Sequence, residues 1–149
     1  MTDNDNANLA SFAECVDKIE AAYEYMLAYA AQGRDREPAA GGAGPSIRSF
    51  LADLEFGLQH ITSASRMTMA ELQAGVDALQ ALESFSDQLE DDAERALKVL
   101  RTVMTAPTLS SQLIDNLNAS VHLRSLLTDI FVVDETIQIH LRAGLSRPA

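Results

Sequence analysis

Tryptophan is absent from this chain, and cysteine occurs once, at position 15. A lone cysteine rules out an intrachain disulfide, so the fold must rest on its own core, and a reducing, cytoplasmic compartment is the natural expectation. Aromatic residues make up only 5% of the sequence. That is too few for an aromatic-rich β-sandwich, and the abundance of Ala and Leu favours helices. Basic residues are scarce too: 11 against 22 acidic, for a net charge of −11. Such a chain repels nucleic-acid phosphates and anionic lipid. Its densest basic stretch, Arg95, Lys98 and Arg101, comes after an acidic run and suits the negative end of a helix dipole. No apolar run approaches the ~20 residues that a bilayer span requires. The opening residues, Met1 to Asn6, are polar and acidic, unlike a secretory leader. Neither nucleic acid nor a membrane is an expected partner.

What the sequence does have is helical periodicity. Leu9, Phe12, Val16, Ile19, Tyr23, Met26 and Ala30 alternate steps of three and four, one seam down a first helix from Asn8 to Gln32. Gly33 is placed as its stop, since glycine takes the left-handed conformation without steric cost. Residues 33–45 read as a mobile, glycine-rich loop. Pro45 and Ser46 open a second helix with the seam Ile47, Leu51, Leu54, Leu58 and Ile61, ending near Ser63. Thr68 and Glu71 have the spacing of a capping box, which starts a third helix over 69–104. Its seam carries Leu72, Leu79, Leu82, Leu89, Leu100 and Val103, thinned by Gly75, Ser86, Ala93 and Ala96. Pro107 ends it.

A fourth helix is predicted over 109–142 with two apolar faces. Leu123, Leu126, Ile130, Val133 and Ile137 form one; Ile114, Leu117, Val121, Val132 and Ile139 form a second, rotated face. Two such faces imply burial on two sides: either this helix is central, or its second face meets another subunit. Within this helix, residues 130–141 also fit a β-hairpin turning at Asp134-Glu135. The expected architecture is therefore an all-α, antiparallel four-helix bundle with two longer C-terminal helices, oligomeric, with a dimer favoured. The bundle domain spans 8–143, between a flexible tail at 1–7 and a C-terminal tail at 144–149.

Motifs that would carry chemistry are mostly missing. The residues three before His60, His122 and His140 are Gly57, Ala119 and Ile137, so the Glu-x-x-His pair of di-iron bundles is not present. Leu123 succeeds His122 where a phosphoacceptor helix wants an acidic residue, and no nucleotide-binding segment accompanies it. Gly41-Gly42-Ala43-Gly44 lacks the strand and lysine of a phosphate loop, and no Gly-x-Ser-x-Gly occurs. Cys15 reads as a packing cysteine, and Glu90, Asp91 and Asp92 as a solvated acidic surface. No catalytic residue, cofactor or metal is assigned. Tyr25 and Tyr29, four apart, suit an interface, because tyrosine buries area at low entropic cost, and equally suit partial cover by the neighbouring loop. The expected function is a non-catalytic interaction protein (adaptor, assembly factor or regulator) acting through Tyr25, Tyr29, Ile114, Leu117, Val121, Val132 and Ile139. A ligand-sensing bundle with a pocket where Gly75, Ser86, Ala93 and Ala96 thin the core is the alternative, and a metal-binding bundle enzyme using the histidines a third.

Overall fold

The structure, a computed structural model, describes residues 3–39, 42 and 44–146. Those residues are helical without strands, in the order α1 (Asp3–Ala30), α2 (Ile47–Ala70), α3 (Val76–Met104), α4 (Ser111–Ala119) and α5 (Val121–Ser146). The seams assemble one contiguous core. Phe12, Val16, Ile19 and Met26 of α1 are buried with all of Ile47, Leu51, Leu54, Leu58 and Ile61 of α2. Leu82, Leu89, Leu100 and Val103 of α3 meet Leu123, Leu126, Ile130, Val133 and Ile137 of α5 in the same core. Leu9 lies outside the residues whose side chains are described. No helix among the described residues is long and apolar enough to cross a membrane.

α1 packs on α2, α2 on α3 and α3 on α5, while α4 lies chiefly against α1. Pairings along the helices fix the direction of the first three. Lys18 meets Asp53 and Tyr25 meets Phe50, so α1 and α2 are antiparallel. Arg66 meets Asp87 while Arg101 meets Glu55, so α2 and α3 are antiparallel as well. α1 and α2 approach each other closely at Gly57. A Cβ built there would stand 2.5 Å from Ile19 Cγ1 and 3.3 Å from the Cys15 carbonyl. Glycine is needed because the Ile19 side chain and the α1 backbone occupy that space.

Several expectations are corrected. The fourth helix over 109–142 is two helices, broken at Ser120, whose ψ of 126° leaves the helical region. Ser120 donates its N–H to the Leu117 carbonyl and offers its own carbonyl to the Arg124 N–H, ending α4 and starting α5. Asn116, Asn118 and Ser120 are weak helix formers clustered at the break. The third helix does not start at Met69. Thr68 is a buried interior residue of α2, its hydroxyl donating to the Ala64 carbonyl, and α3 begins after Gly75. The capping box is instead at Ser46 and Ser49. The four long helices have similar lengths, 28, 24, 29 and 26 residues, rather than two being longer. α1 starts at Asp3 rather than Asn8, and α5 runs to Ser146, into the segment read as a tail. Residues 130–141 are helical, so the hairpin reading falls.

Candidate functional site

Two regions of the molecule concentrate polar and exposed features, one at the α1–α2 loop and one along α5. Gly33, at φ +65°, ends α1 as expected and turns the chain beneath the bundle. Beyond it the loop is tied down rather than loose. The Arg34 N–H donates to Ser111 Oγ and the Ser111 N–H to the Arg34 carbonyl, each at 2.8 Å. The Glu37 N–H donates to Thr108 Oγ1 at 3.0 Å. The Glu37 carboxylate receives Arg48 through Nε and Nη2 at 3.0 and 2.7 Å, and the Leu109 N–H at 2.9 Å. Arg48 then donates to the Met104 and Ala106 carbonyls, at 3.1 and 2.7 Å, satisfying the open end of α3. The loop expected to be mobile is thus clamped over 33–39; residues 40, 41 and 43 lie outside the described residues.

Tyr29 belongs to this clamp. Its side chain is buried and its hydroxyl donates to the Leu109 carbonyl at 2.6 Å. Burial, with Glu37 nearby, raises its pKa above the ordinary tyrosine value. Asn118 Nδ2 donates to the Met26 carbonyl, which anchors α4 to α1. Among the residues predicted to meet a partner, Tyr29, Ile114 and Leu117 therefore lie in the chain's own core. The break at Ser120 is the reason: α4 turns its apolar residues inward. Tyr25 is half-buried, stacked on Phe50 at 4.1 Å between centroids. It borders a cleft of about 680 Å³ with Glu37, Pro38, Pro45, Arg48 and Thr108.

The remaining three face outward. Val121 is 66% exposed, Val132 50% and Ile139 52%, and Phe131, which periodicity did not single out, is 51% exposed. At 100° per residue Val121, Val132 and Ile139 align within ~20°, with Phe131 ~100° away. Thr128, Glu135 and Arg124 fall between them. Elsewhere exposed large apolar residues are scattered, and Phe56 is partly covered by the His60 ring at 4.4 Å and Lys18 Nζ at 5.3 Å.

The inner flanks of α5 carry carboxylates that face other carboxylates. Asp129 is 5% exposed and lies against α3, where Gln88 Nε2 donates to its Oδ1 at 3.2 Å. Burial and the neighbouring Asp92 carboxyl push its pKa up to about 7. Asp92 is thus a member of a helix interface, not of the solvated acidic surface predicted for Glu90, Asp91 and Asp92. On the other flank, Asp134 is raised by burial and by Glu135 and Asp17, and Glu20 of α1 by burial and by Asp134.

A hollow of about 330 Å³ opens between the end of α2 and the start of α3, lined by Arg66, Met69, Leu79, Leu82, Glu83 and Ser86. Ser86 is the one gap residue that lines it; Ala93 and Ala96 are buried in continuous packing, and Gly75 caps α3. Among the described residues no three of His, Cys, Asp and Glu converge as a metal-binding group. Cys15 is buried, and burial with the nearby Glu14 raises its thiol pKa, which keeps it protonated. Comparison of the chain with protein-family models, curated proteins and solved structures finds no match.

Proposed function

We propose that this chain is a non-catalytic, cytoplasmic interaction protein, an adaptor, assembly factor or regulator, that pairs with a second copy of itself through the outer face of α5. The observation that carries the reading is the grouping of Val121, Phe131, Val132 and Ile139, each about half exposed or more, on the outer side of one helix. Together they offer on the order of 400 Å² of apolar surface, within the range of the largest patches found on monomers, which are often functional.

Charge favours a second copy over an acidic partner. The exposed outer residues of α1 and α3 include Glu14, Asp17, Glu24, Asp87, Asp91 and Glu94, so most other faces repel their own kind. The exposed charges on α5 are Arg124, Glu135 and Arg142, which do not. In an antiparallel, two-fold contact centred near Ile130, Arg124 of one copy comes opposite Glu135 of the other, and the same pair recurs by symmetry. The buried, protonated single cysteine agrees with a reducing compartment. Sedimentation equilibrium over a concentration series tests the reading: wild type forms a dimer, and Val132→Asp with Ile139→Asp gives a folded monomer.

A second reading, a small-ligand sensor, has one specific support. The hollow beside Ser86 presents apolar side chains with Arg66 at its rim, the mixture small-molecule sites use. Native mass spectrometry of the freshly purified chain, with a thermal-shift panel of small apolar acids, tests it.

A further inference from the structure

Asp129 stands out among the carboxylates because solvent barely reaches it. Its Oδ1 accepts from Gln88, but its Oδ2 is buried and receives no hydrogen bond from any donor among the described residues. An ionised carboxylate in that position has half its acceptor capacity unmet, which a buried charge tolerates poorly. Gln88 sets Asp129 against α3, and one turn further along that face is another acid, Asp92, whose side chain is 15% exposed and whose Oδ1 lies 3.6 Å from Arg95 Nη1; its carboxyl acts on Asp129. Two carboxyl groups meet stably in this way when one keeps its proton: the O–H of one donates to the O⁻ of the other.

We propose that Asp129 and Asp92 share a single proton and form a latch that holds α5 on α3, and that losing the proton loosens α5. With the proton in place, each oxygen of Asp129 has a partner. Asp129 donates from Oδ2 to Asp92 and accepts from Gln88 at Oδ1, while Arg95 offsets the remaining charge on Asp92. When the proton passes to solvent, two anions face each other across a buried helix contact and nothing nearby compensates the second. Among the described residues, no charge other than Asp92 acts on Asp129. Asp115 of α4 is exposed and does not act on Asp129, and Asp17 and Glu20 of α1 face Asp134 instead. The latch sits two residues from Phe131, so it also governs how firmly the outer face of α5 is held. It operates whether or not that face binds anything.

The direction of the pH effect is set by which state holds more protons. Folded, Asp129 keeps its proton to about pH 7; unfolded, it loses it near the ordinary aspartate value. The folded state binds more protons through that window, so stability falls as pH rises from about 4 to about 7 and levels off above. Asp129→Asn mimics the protonated acid, its amide donating to Asp92 and its carbonyl accepting from Gln88. The experiment is a thermal-unfolding series from pH 5 to pH 8 on the full chain, with Asp129→Asn, Asp92→Asn and the exposed control Asp91→Asn. In parallel, carboxyl ¹³C chemical shifts of wild type and Asp92→Asn are followed by NMR across the same range.

The expected result is that Asp129→Asn gains about 5 °C over wild type at pH 8 and little at pH 5, whereas Asp91→Asn tracks wild type. In wild type one carboxyl titrates near neutrality; in Asp92→Asn that titration moves to lower pH, because the neighbouring acid is gone and an amide now donates to Asp129, while its burial remains. The wild-type carboxyl titration needs no variant to fold. A wild-type Asp129 that titrates below pH 5, or an Asp129→Asn curve running parallel to wild type at every pH, overturns the proposal.

Discussion

The clamp beneath the bundle and the flanks of α5 use the same residue types to opposite effect. At the clamp the Glu37 carboxylate, half-buried, meets both a guanidinium and a backbone N–H. The guanidinium in turn satisfies the last carbonyls of α3. Along α5, Asp129 faces Asp92, whose carboxylate lies 3.6 Å from Arg95 Nη1, and Asp134 faces Asp17 and Glu20. The first arrangement fixes loop, helix end and neighbouring turn in one geometry. The second seats α5 on its apolar seam and the Gln88–Asp129 hydrogen bond, against its own charge. Stability in this chain is therefore not uniform. The α1–α2–α3 end is tied by polar closure, whereas α5 is seated chiefly by burial.

The contrast can be broken most severely at Arg48. Arg48→Ala strands a half-buried carboxylate and uncovers two carbonyls, and should cost about 3 kcal/mol in a urea-unfolding experiment. Tyr29→Phe removes only the bond to Leu109 and leaves the ring packed, so about 1 kcal/mol is expected in the same assay. On the other side of the comparison the sign reverses. Asp134→Asn relieves a raised carboxyl facing Asp17 and Glu20, so the melting temperature should rise at pH 7 and change least in acid. A scan at both pH values checks this. Smallest of all is Arg66→Ala. Its pairs with Asp87 and Glu90 are solvent-exposed, so the unfolding free energy should move by less than about 0.5 kcal/mol.

The seams were legible because they are local. A three–four alternation within a helix needs no knowledge of distant residues, and Ile47 through Ile61 read from sequence are buried to the last member. The closures were not legible, because their partners are far apart in the chain. Tyr29 finds Leu109 across 80 positions and Arg48 finds Met104 across 56, and no local pattern announces either. Gly57 is a similar case. In sequence it is merely the residue three before His60; only the approach of Ile19 explains it. The break at Ser120 did leave a trace in Asn116, Asn118 and Ser120, but the apolar phase ran across it and masked it. That break separates Ile114 and Leu117, which turn inward, from Val121, Val132 and Ile139, which stay outside. Asp129 was hidden for another reason: an aspartate one residue before Ile130 looks like any flanking charge until α3 is known to cover it.

That α5 is the face by which this chain acts is tested most directly by sedimentation equilibrium on wild type and on Val132→Asp with Ile139→Asp. A dimer that dissociates on dilution, and a double variant that is monomeric and melts like wild type diluted to the monomer, is the predicted outcome. A wild-type chain that remains monomeric at every concentration reached contradicts it.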